Sequence, residues 1–145
     1  MDVLVVVDMQ NDFVNGALGT GEAEKIVPHV VERVVDGMNR GETILFTRDT
    51  HEPCYLETQE GKNLPVPHCM AGTDGWKIQP DILAALGDAL LVEKPTFGSL
   101  ELVEICEEEQ YEQVELVGLV SNICVLSNAV LVKTALPEAE VIVDA

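Results

Sequence analysis

The sequence has no apolar run approaching the ~18 residues that a membrane-spanning helix requires. It has no basic opening segment of the secretory kind, because Met1-Asp2 leads straight into a run of strand-like valines. Its four cysteines form no C-x-x-C pair and have none of the density of a disulfide scaffold. Reduced thiols in a cytoplasmic protein are therefore the expectation. Positive charge is scarce as well. Eight Lys and Arg face 26 Asp and Glu, for a formal net charge of −18. Nucleic-acid binding needs clustered Lys and Arg, and anionic membranes attract them, so we expect neither partner. The surplus of acid reads as a solubility feature, and Glu107-Glu108-Glu109 as a solvated helix end. Against that background each of the few cations invites a question, Lys94 above all.

What is present is a core and an alternating pattern. The chain has 145 residues, of which 47% are hydrophobic, enough for one domain with a real interior. Val3–Val7 is an unbroken apolar run, as in a strand buried on both faces. From Glu22 to Arg40, residues Ile26, Val27, Val30, Val31, Val34, Val35 and Met38 recur at three- and four-residue steps, which predicts a helix closed by Gly41. Thr43–Thr47 reads as a second strand. Pro80 opens a helix carrying Ile82, Leu83 and Leu86 and ending at Gly87, and Ala89–Val92 is a third strand. Ser99 caps a helix to about Glu109. Val114–Val120 is a fourth strand, 122–136 a mostly apolar helix and Val141–Val143 a fifth strand. Strand–helix alternation of this kind means an α/β fold with an open parallel sheet and helices on both faces. The exception, Asp49–Trp76, lacks periodicity and is rich in Pro, Gly, His and Cys, and long loops of that sort are usually functional.

Ligands of open parallel sheets bind beyond the carboxyl ends of the strands. Asp8 follows the first strand, Asp49 and His51 the second, Lys94 the third, and Ser121, Asn122 and Cys124 the fourth. Polar residues end many strands simply because loops are wet, as Asp144 illustrates; the joint pattern is what suggests a site. Cys124 is the nucleophile candidate, since it falls in the first turn of a helix, where backbone N–H groups favour a thiolate. A nearby Lys94 would lower the thiol pKa further, and Asp8 could take the proton and return it to a leaving amine. Taken alone, a cysteine on an apolar helix equally describes a small buried hydrophobe. In the long loop, Asp49-x-His51 puts two side chains on one side of an extended segment, with Glu60 and His68 further on. Carboxylate and imidazole ligands suit Zn²⁺, Mn²⁺ or Fe²⁺. Cys54 and Cys69 offer a different, structural zinc loop, although without the usual knuckle spacing. His29 belongs to the first long helix, at its surface.

With these residues assembled, the chain resembles the isochorismatase-like cysteine hydrolases, and among them the nicotinamidases. The matching stretches are Val7-Asp8-Met9-Gln10-Asn11-Asp12-Phe13, Thr47-Arg48-Asp49-Thr50-His51, Pro67-His68-Cys69-Met70-Ala71-Gly72-Thr73, Glu93-Lys94-Pro95-Thr96-Phe97, and residues Gly118 to Val125. They run in order from residue 3 to the end of the chain, and their specificity lies in the set. The resemblance implies a three-layer, Rossmann-like single domain over residues 1–145 and a catalytic triad of Asp8, Lys94 and Cys124. It implies a cis peptide between Leu119 and Val120, with the N–H groups of Val120 and Cys124 as oxyanion hole. It further implies a divalent metal, zinc first and manganese or iron next, on Asp49, His51, Glu60 and His68, holding the substrate's ring nitrogen. Phe13 and Phe97 would wall the substrate pocket. The activity implied is hydrolysis of a small carboxamide through a thioester, nicotinamide being the first expectation, by a homo-oligomer.

Two departures stand out. Nicotinamidases often place a Trp shortly before the last metal histidine, where this chain reads Asn63-Leu64-Pro65-Val66-Pro67. That widens the substrate range to other amides and carbamoyl compounds, and a non-catalytic binding domain of the same fold is the alternative of a different class. Family members also continue past the fifth strand with another helix and strand, which leads us to expect missing C-terminal elements.

Overall fold

The computed structural model describes residues 1–144. Its elements in chain order are β1 Asp2–Val7, α1 Asn11–Val14, α2 Gly21–Asn39, β2 Thr43–Asp49, α3 Gln59–Asn63, α4 Pro80–Leu86, β3 Leu90–Lys94, α5 Leu100–Glu109, β4 Gln113–Gly118, α6 Leu126–Ala135 and β5 Glu140–Val143. The strands form one sheet in the order β3-β2-β1-β4-β5, and every neighbouring pair is parallel. Among the described residues no helix is long and apolar enough to cross a membrane.

The two-residue period of β1 divides the interior into two layers. Val3, Val5 and Val7 pack with Leu102 and Cys106 of α5 and with Val125, Ala129 and Val132 on the opposite segment. Leu4 and Val6 pack with Val27, Val30 and Val34 of α2 and with Ile82 and Leu86 of α4. The continuous apolar run of β1 is thus covered on both sides, as the parallel-sheet reading requires. Caps set the helix starts. The Thr20 side chain accepts from Ala23 N–H, and the Ser99 side chain accepts from Leu102 N–H.

Several boundaries differ from the sequence expectation, each for a local reason. The stripe on α2 is narrower than its periodicity suggests, since Val35 and Met38 are exposed while Val27, Val30 and Val34 are buried. β3 is an edge strand, so Leu90 and Leu91 stay exposed although their hydropathy matches a central one. β2 runs on to Asp49 because its register with β3 pairs Asp49 with Lys94. The loop after β2 is built from a 3₁₀ turn at Tyr55–Glu57 and the short helix α3, elements too brief to leave a period. β4 stops at Gly118, two residues earlier than expected, and the helix expected from residue 122 starts as a π-helical turn over Ser121–Val125.

The strand order reverses between β1 and β4, so the crevice at their carboxyl ends is the topological place for a ligand. Gly118 stands there with φ +121°, and a Cβ on it would collide with the Val7 carbonyl oxygen. Backbone of that conformation belongs to glycine, and the close approach leaves no room for relaxation. Gly118→Ala is expected to destabilise the fold by at least about 2 kcal/mol in a denaturant titration; a loss below about 0.5 kcal/mol would contradict this packing.

Candidate active site

Three of the strand-end groups singled out in the sequence meet in one buried cluster. Lys94 Nζ lies 2.8 Å from Asp8 Oδ2 and 3.5 Å from Cys124 Sγ. All three side chains are almost without solvent exposure: Asp8 0%, Lys94 1%, Cys124 3%. The backbone explains the convergence. Asp8 leaves β1 with φ +49°, a left-handed conformation that Asp tolerates, and Gln10 N–H closes the turn on the Asp8 carbonyl at 2.8 Å. Thr47 Oγ1 donates to Asp8 Oδ1 at 2.8 Å. Asp8 Oδ2 is paired with the Lys94 ammonium and, among the described residues, with no other group. Lys94 also donates to the Thr96 carbonyl at 2.9 Å.

Burial pushes the Asp8 carboxyl up to about 6, against the pull of the Lys94 ammonium. Burial works to neutralise Lys94, yet the Asp8 carboxylate, followed by Cys124 and Asp49, holds its pKa above the ordinary lysine value. For Cys124 the expectation from sequence needs correction. Burial first, and then the Asp8 carboxylate, push the thiol above its usual range, and Lys94 offsets only part of this. The resting sulfur is therefore a thiol beside a base rather than a preformed thiolate.

After β4 the Leu119–Val120 peptide is cis. The Val120 carbonyl accepts from Ile123 and Val125 N–H at 3.0 and 3.2 Å, which folds the turn that carries Cys124. Among the described residues the Val120 N–H donates to no group. A groove of about 500 Å³ lies against Leu119 and Val120, lined by Ala23, Ile26 and Val30 of α2, and contains none of Asp8, Lys94 and Cys124.

Beside this cluster lies a second one. Asp49 Oδ2 is 2.9 Å from His51 Nε2 and 3.4 Å from His68 Nε2. One ligand atom from each of these three buried residues falls within 4.8 Å of the others. His68 Nδ1 donates to the Val66 carbonyl at 2.7 Å, which fixes the ring with Nε2 facing Asp49. Glu60 sits 3.4 Å from His51 Nε2, and its Oε2 is buried without a hydrogen-bond partner. Two imidazoles, two carboxylates and an unpaired buried carboxylate oxygen make a donor set that fits a divalent cation. Neither cysteine belongs to the three-residue group, and Cys54 is exposed. Hydrogen bonds from His51 and His68, then the Lys94 charge, overcome the burial of Asp49 and hold its carboxyl down at about 2. Asp49 joins the two clusters, since its other oxygen, Oδ1, lies 3.7 Å from Lys94 Nζ.

Phe13 is buried, with its ring 5.5 Å from that of His68, edge to face. Phe97 is 39% exposed, and its backbone carbonyl accepts from Asn128 Nδ2. His29 is exposed on α2, as expected. Sequence reasoning passed over the residues that hold these groups in place. Gln10, fully buried, donates to the Asp49 and Trp76 carbonyls and accepts from Asp49 N–H, each at 2.8 Å. Asp12 Oδ2 accepts from Cys69 N–H at 2.7 Å and so ties down the residue after His68. Tyr55 packs on both imidazoles, with ring centroids 4.4 Å from His51 and 5.2 Å from His68. The signal for Gln10 and Asp12 was their place directly after an apolar strand; for Tyr55 there was none.

The fold has counterparts among known proteins. Residues 2–136 match the isochorismatase domain family. No curated protein sequence matches significantly. Among solved structures, the pyrazinamidase/nicotinamidase from Streptococcus mutans superposes with a TM-score of 0.88 at 23% identity, over 99% of this chain and 84% of that one. N-carbamoylsarcosine amidase from Thermoplasma acidophilum gives 0.81 at 29% identity, over 98% and 80%. The pyrazinamidase of Pyrococcus horikoshii, solved in complex with zinc, gives 0.76 at 26%, over 99% and 87%.

A divalent cation is expected to bind the second cluster, and a ligand at a hundredfold its Kd stabilises a fold by about 2.7 kcal/mol. Added Zn²⁺ should therefore raise the melting temperature of the metal-stripped protein, and Asp49→Ala should remove that rise. An Asp49→Ala protein that still responds like the parent would assign the metal elsewhere.

Proposed function

The chain belongs to the isochorismatase family of hydrolases, and from that premise we propose that it hydrolyses a small carboxamide through a thioester on Cys124. The observation that carries this reading is the Lys94 ammonium 2.8 Å from the Asp8 carboxylate and 3.5 Å from the Cys124 sulfur, all three buried. A thiol, a base with its pKa near neutrality and a fixed cation are the components of nucleophilic acyl transfer.

In the proposed reaction Asp8 accepts the Cys124 proton as the sulfur attacks the substrate carbonyl carbon. The negative charge that passes from Asp8 to the sulfur and on to the adduct is held beside the ammonium of Lys94. The N–H of Val120, which has no other acceptor among the described residues, faces the developing oxyanion together with that of Cys124. Collapse of the adduct breaks the C–N bond, and Asp8 returns its proton to the departing ammonia. Water, deprotonated by Asp8, then cleaves the thioester to acid and free thiol. Asp49, His51, His68 and Glu60 would hold a divalent cation, which supplies an electrophilic contact that orients the substrate when bound.

For the substrate we propose nicotinamide first, since the donor cluster and the likeness to nicotinamidases go together. A carbamoyl amide is the second reading, favoured by the likeness to N-carbamoylsarcosine amidase and by the absence of an aromatic residue from Asn63 to Pro67.

Ammonia release from nicotinamide, with and without a chelator, separates these cases. Loss on chelation supports the metal-assisted nicotinamidase, indifference a metal-free hydrolase, and no release from either class of amide a binding domain. Cys124→Ala should reduce turnover by at least about 1,000-fold with the fold retained; activity near that of the parent refutes the scheme. The base must be ionised to act, and Asp8 titrates at about 6. The acid limb of kcat/KM should accordingly fall away below about pH 6, because a protonated Asp8 cannot take the thiol proton. Asp49, held near 2, contributes nothing to that limb. A profile flat from pH 5 to pH 8 is the contrary result.

A further inference from the structure

Asn128 lies on α6 one turn beyond Cys124 and is wholly buried. A buried amide must find partners for both ends of its side chain. Its Oδ1 accepts from Ser99 N–H at 2.8 Å. Its Nδ2 donates to the Cys124 carbonyl at 2.9 Å and to the Phe97 carbonyl at 3.3 Å. These partners belong to two different segments. One is the turn that presents the thiol. The other is the loop that follows Lys94 out of β3.

That loop is tied to the ammonium at its near end. Lys94 Nζ donates to the Thr96 carbonyl at 2.9 Å, and Thr96 Oγ1 donates to the Gly98 carbonyl at 2.7 Å. At its far end the Asn128 amide grips Phe97 and Ser99. The loop also runs so close to α6 that a Cβ on Gly98 would collide with the Leu131 side chain. No strand pairing holds either segment, because β3 ends at Lys94 and β4 at Gly118.

We infer that Asn128 is a positioning residue: by bridging the loop after Lys94 to the Cys124 turn it sets the separation of the ammonium from the thiol. The inference rests on the triad chemistry proposed above. Few side chains can do this. A Ser or Thr at this helical position reaches only the carbonyl one turn back, whereas the planar amide donates backwards and accepts sideways at once. The consequence for reactivity is direct. Burial and the Asp8 carboxylate hold the thiol protonated, and the cation 3.5 Å away is the group that opposes them. If the two segments drift apart the sulfur loses that opposition.

The test uses Asn128→Asp, which keeps the acceptor for Ser99 but not the donor, and Asn128→Ser, which keeps a donor for Cys124 but not the bridge. Val132→Ala, a buried apolar change on the same helix, controls for stability alone. Two quantities are read: kcat and KM on the amide that the parent turns over, and the iodoacetamide alkylation rate of the Cys124 peptide across a pH series. Misplacing a reacting group by ~1 Å costs up to about 100-fold, so kcat should fall about 10- to 100-fold in both Asn128 variants. KM should stay within roughly twofold, as expected when an interaction needed in the transition state is lost. Alkylation should slow at neutral pH and recover only at higher pH, while Val132→Ala lowers the melting temperature and leaves both readouts at parent values. Folded Asn128 variants with unchanged alkylation overturn the inference, as does a Val132→Ala protein that reproduces their losses.

Should neither Asn128 variant fold, Thr96→Val removes the Thr96–Gly98 bond of the loop that Asn128 holds, at an exposed position, and tests whether that loop's placement sets the thiol's reactivity. A slowing of about threefold is expected there, and none would overturn the inference. Alkylation reports on the thiol directly. A parent that hydrolyses no amide, yet whose Cys124 responds to Asn128, sinks the amidase reading and keeps this one; turnover with an indifferent thiol does the reverse.

Discussion

Among the described residues Lys94 is the one Lys or Arg buried in a chain of net charge −18, and the arrangement of the whole site follows from what that ammonium requires. A buried cation is tolerated only when paired and hydrogen-bonded. Lys94 meets the condition with two carboxylates, Asp8 and Asp49, and the Thr96 carbonyl, and the remaining space around it is filled by the Cys124 sulfur. Each partner comes from a different strand end, so the sheet register that pairs Asp49 with Lys94 is also what assembles the charges. Removing the cation would strand two buried carboxylates, which costs more than the pair itself is worth.

Two aspartates share that cation and are driven in opposite directions by their other neighbours. Asp8 is wholly buried with a single hydrogen-bonding hydroxyl, so desolvation wins and its carboxyl titrates at about 6. Asp49 is nearly as buried, but two imidazoles bond to it, and its carboxyl is held near 2. Identical side chains thereby become a group that can exchange a proton in the neutral range and a permanent anion facing the histidines. Environment, not residue type, separates the two roles.

Backbone control is the other half of the design. Gln10 grips the main chain of Asp49 on both sides, and Asp12 holds the residue after His68. Asn128 spans the loop after Lys94 and the Cys124 turn. Each is a side chain that satisfies backbone groups where no strand or helix ladder can, in the irregular segments beyond the strand ends. Such bonds set positions to a fraction of an ångström, the precision that proton transfer between a thiol and a base needs.

Much of this was legible beforehand. The uninterrupted valines of β1 imposed a sheet covered on both faces, and the alternation of short β-branched runs with amphipathic stretches imposed parallel pairing, because both are consequences of period and burial alone. Asp8, Lys94 and Cys124 stood out because they lie at or just beyond strand ends, and the parallel order sends all strand ends to one rim. The long loop after β2 was marked by composition, but not its 3₁₀ turn and α3, too brief to leave a period, nor the packing of Tyr55 against the two histidines, which the fold brings together. Nor could sequence supply the protonation of Cys124. A helix start and a lysine argue for a thiolate, whereas the depth of burial and the nearness of Asp8, both properties of the packed structure, argue for a thiol and prevail. Residue order determined the fold class and which polar groups stand beyond the strand ends; their distances, their charges and the residues that brace them were decided only when the chain closed on itself, because desolvation and hydrogen-bond geometry exist only in three dimensions.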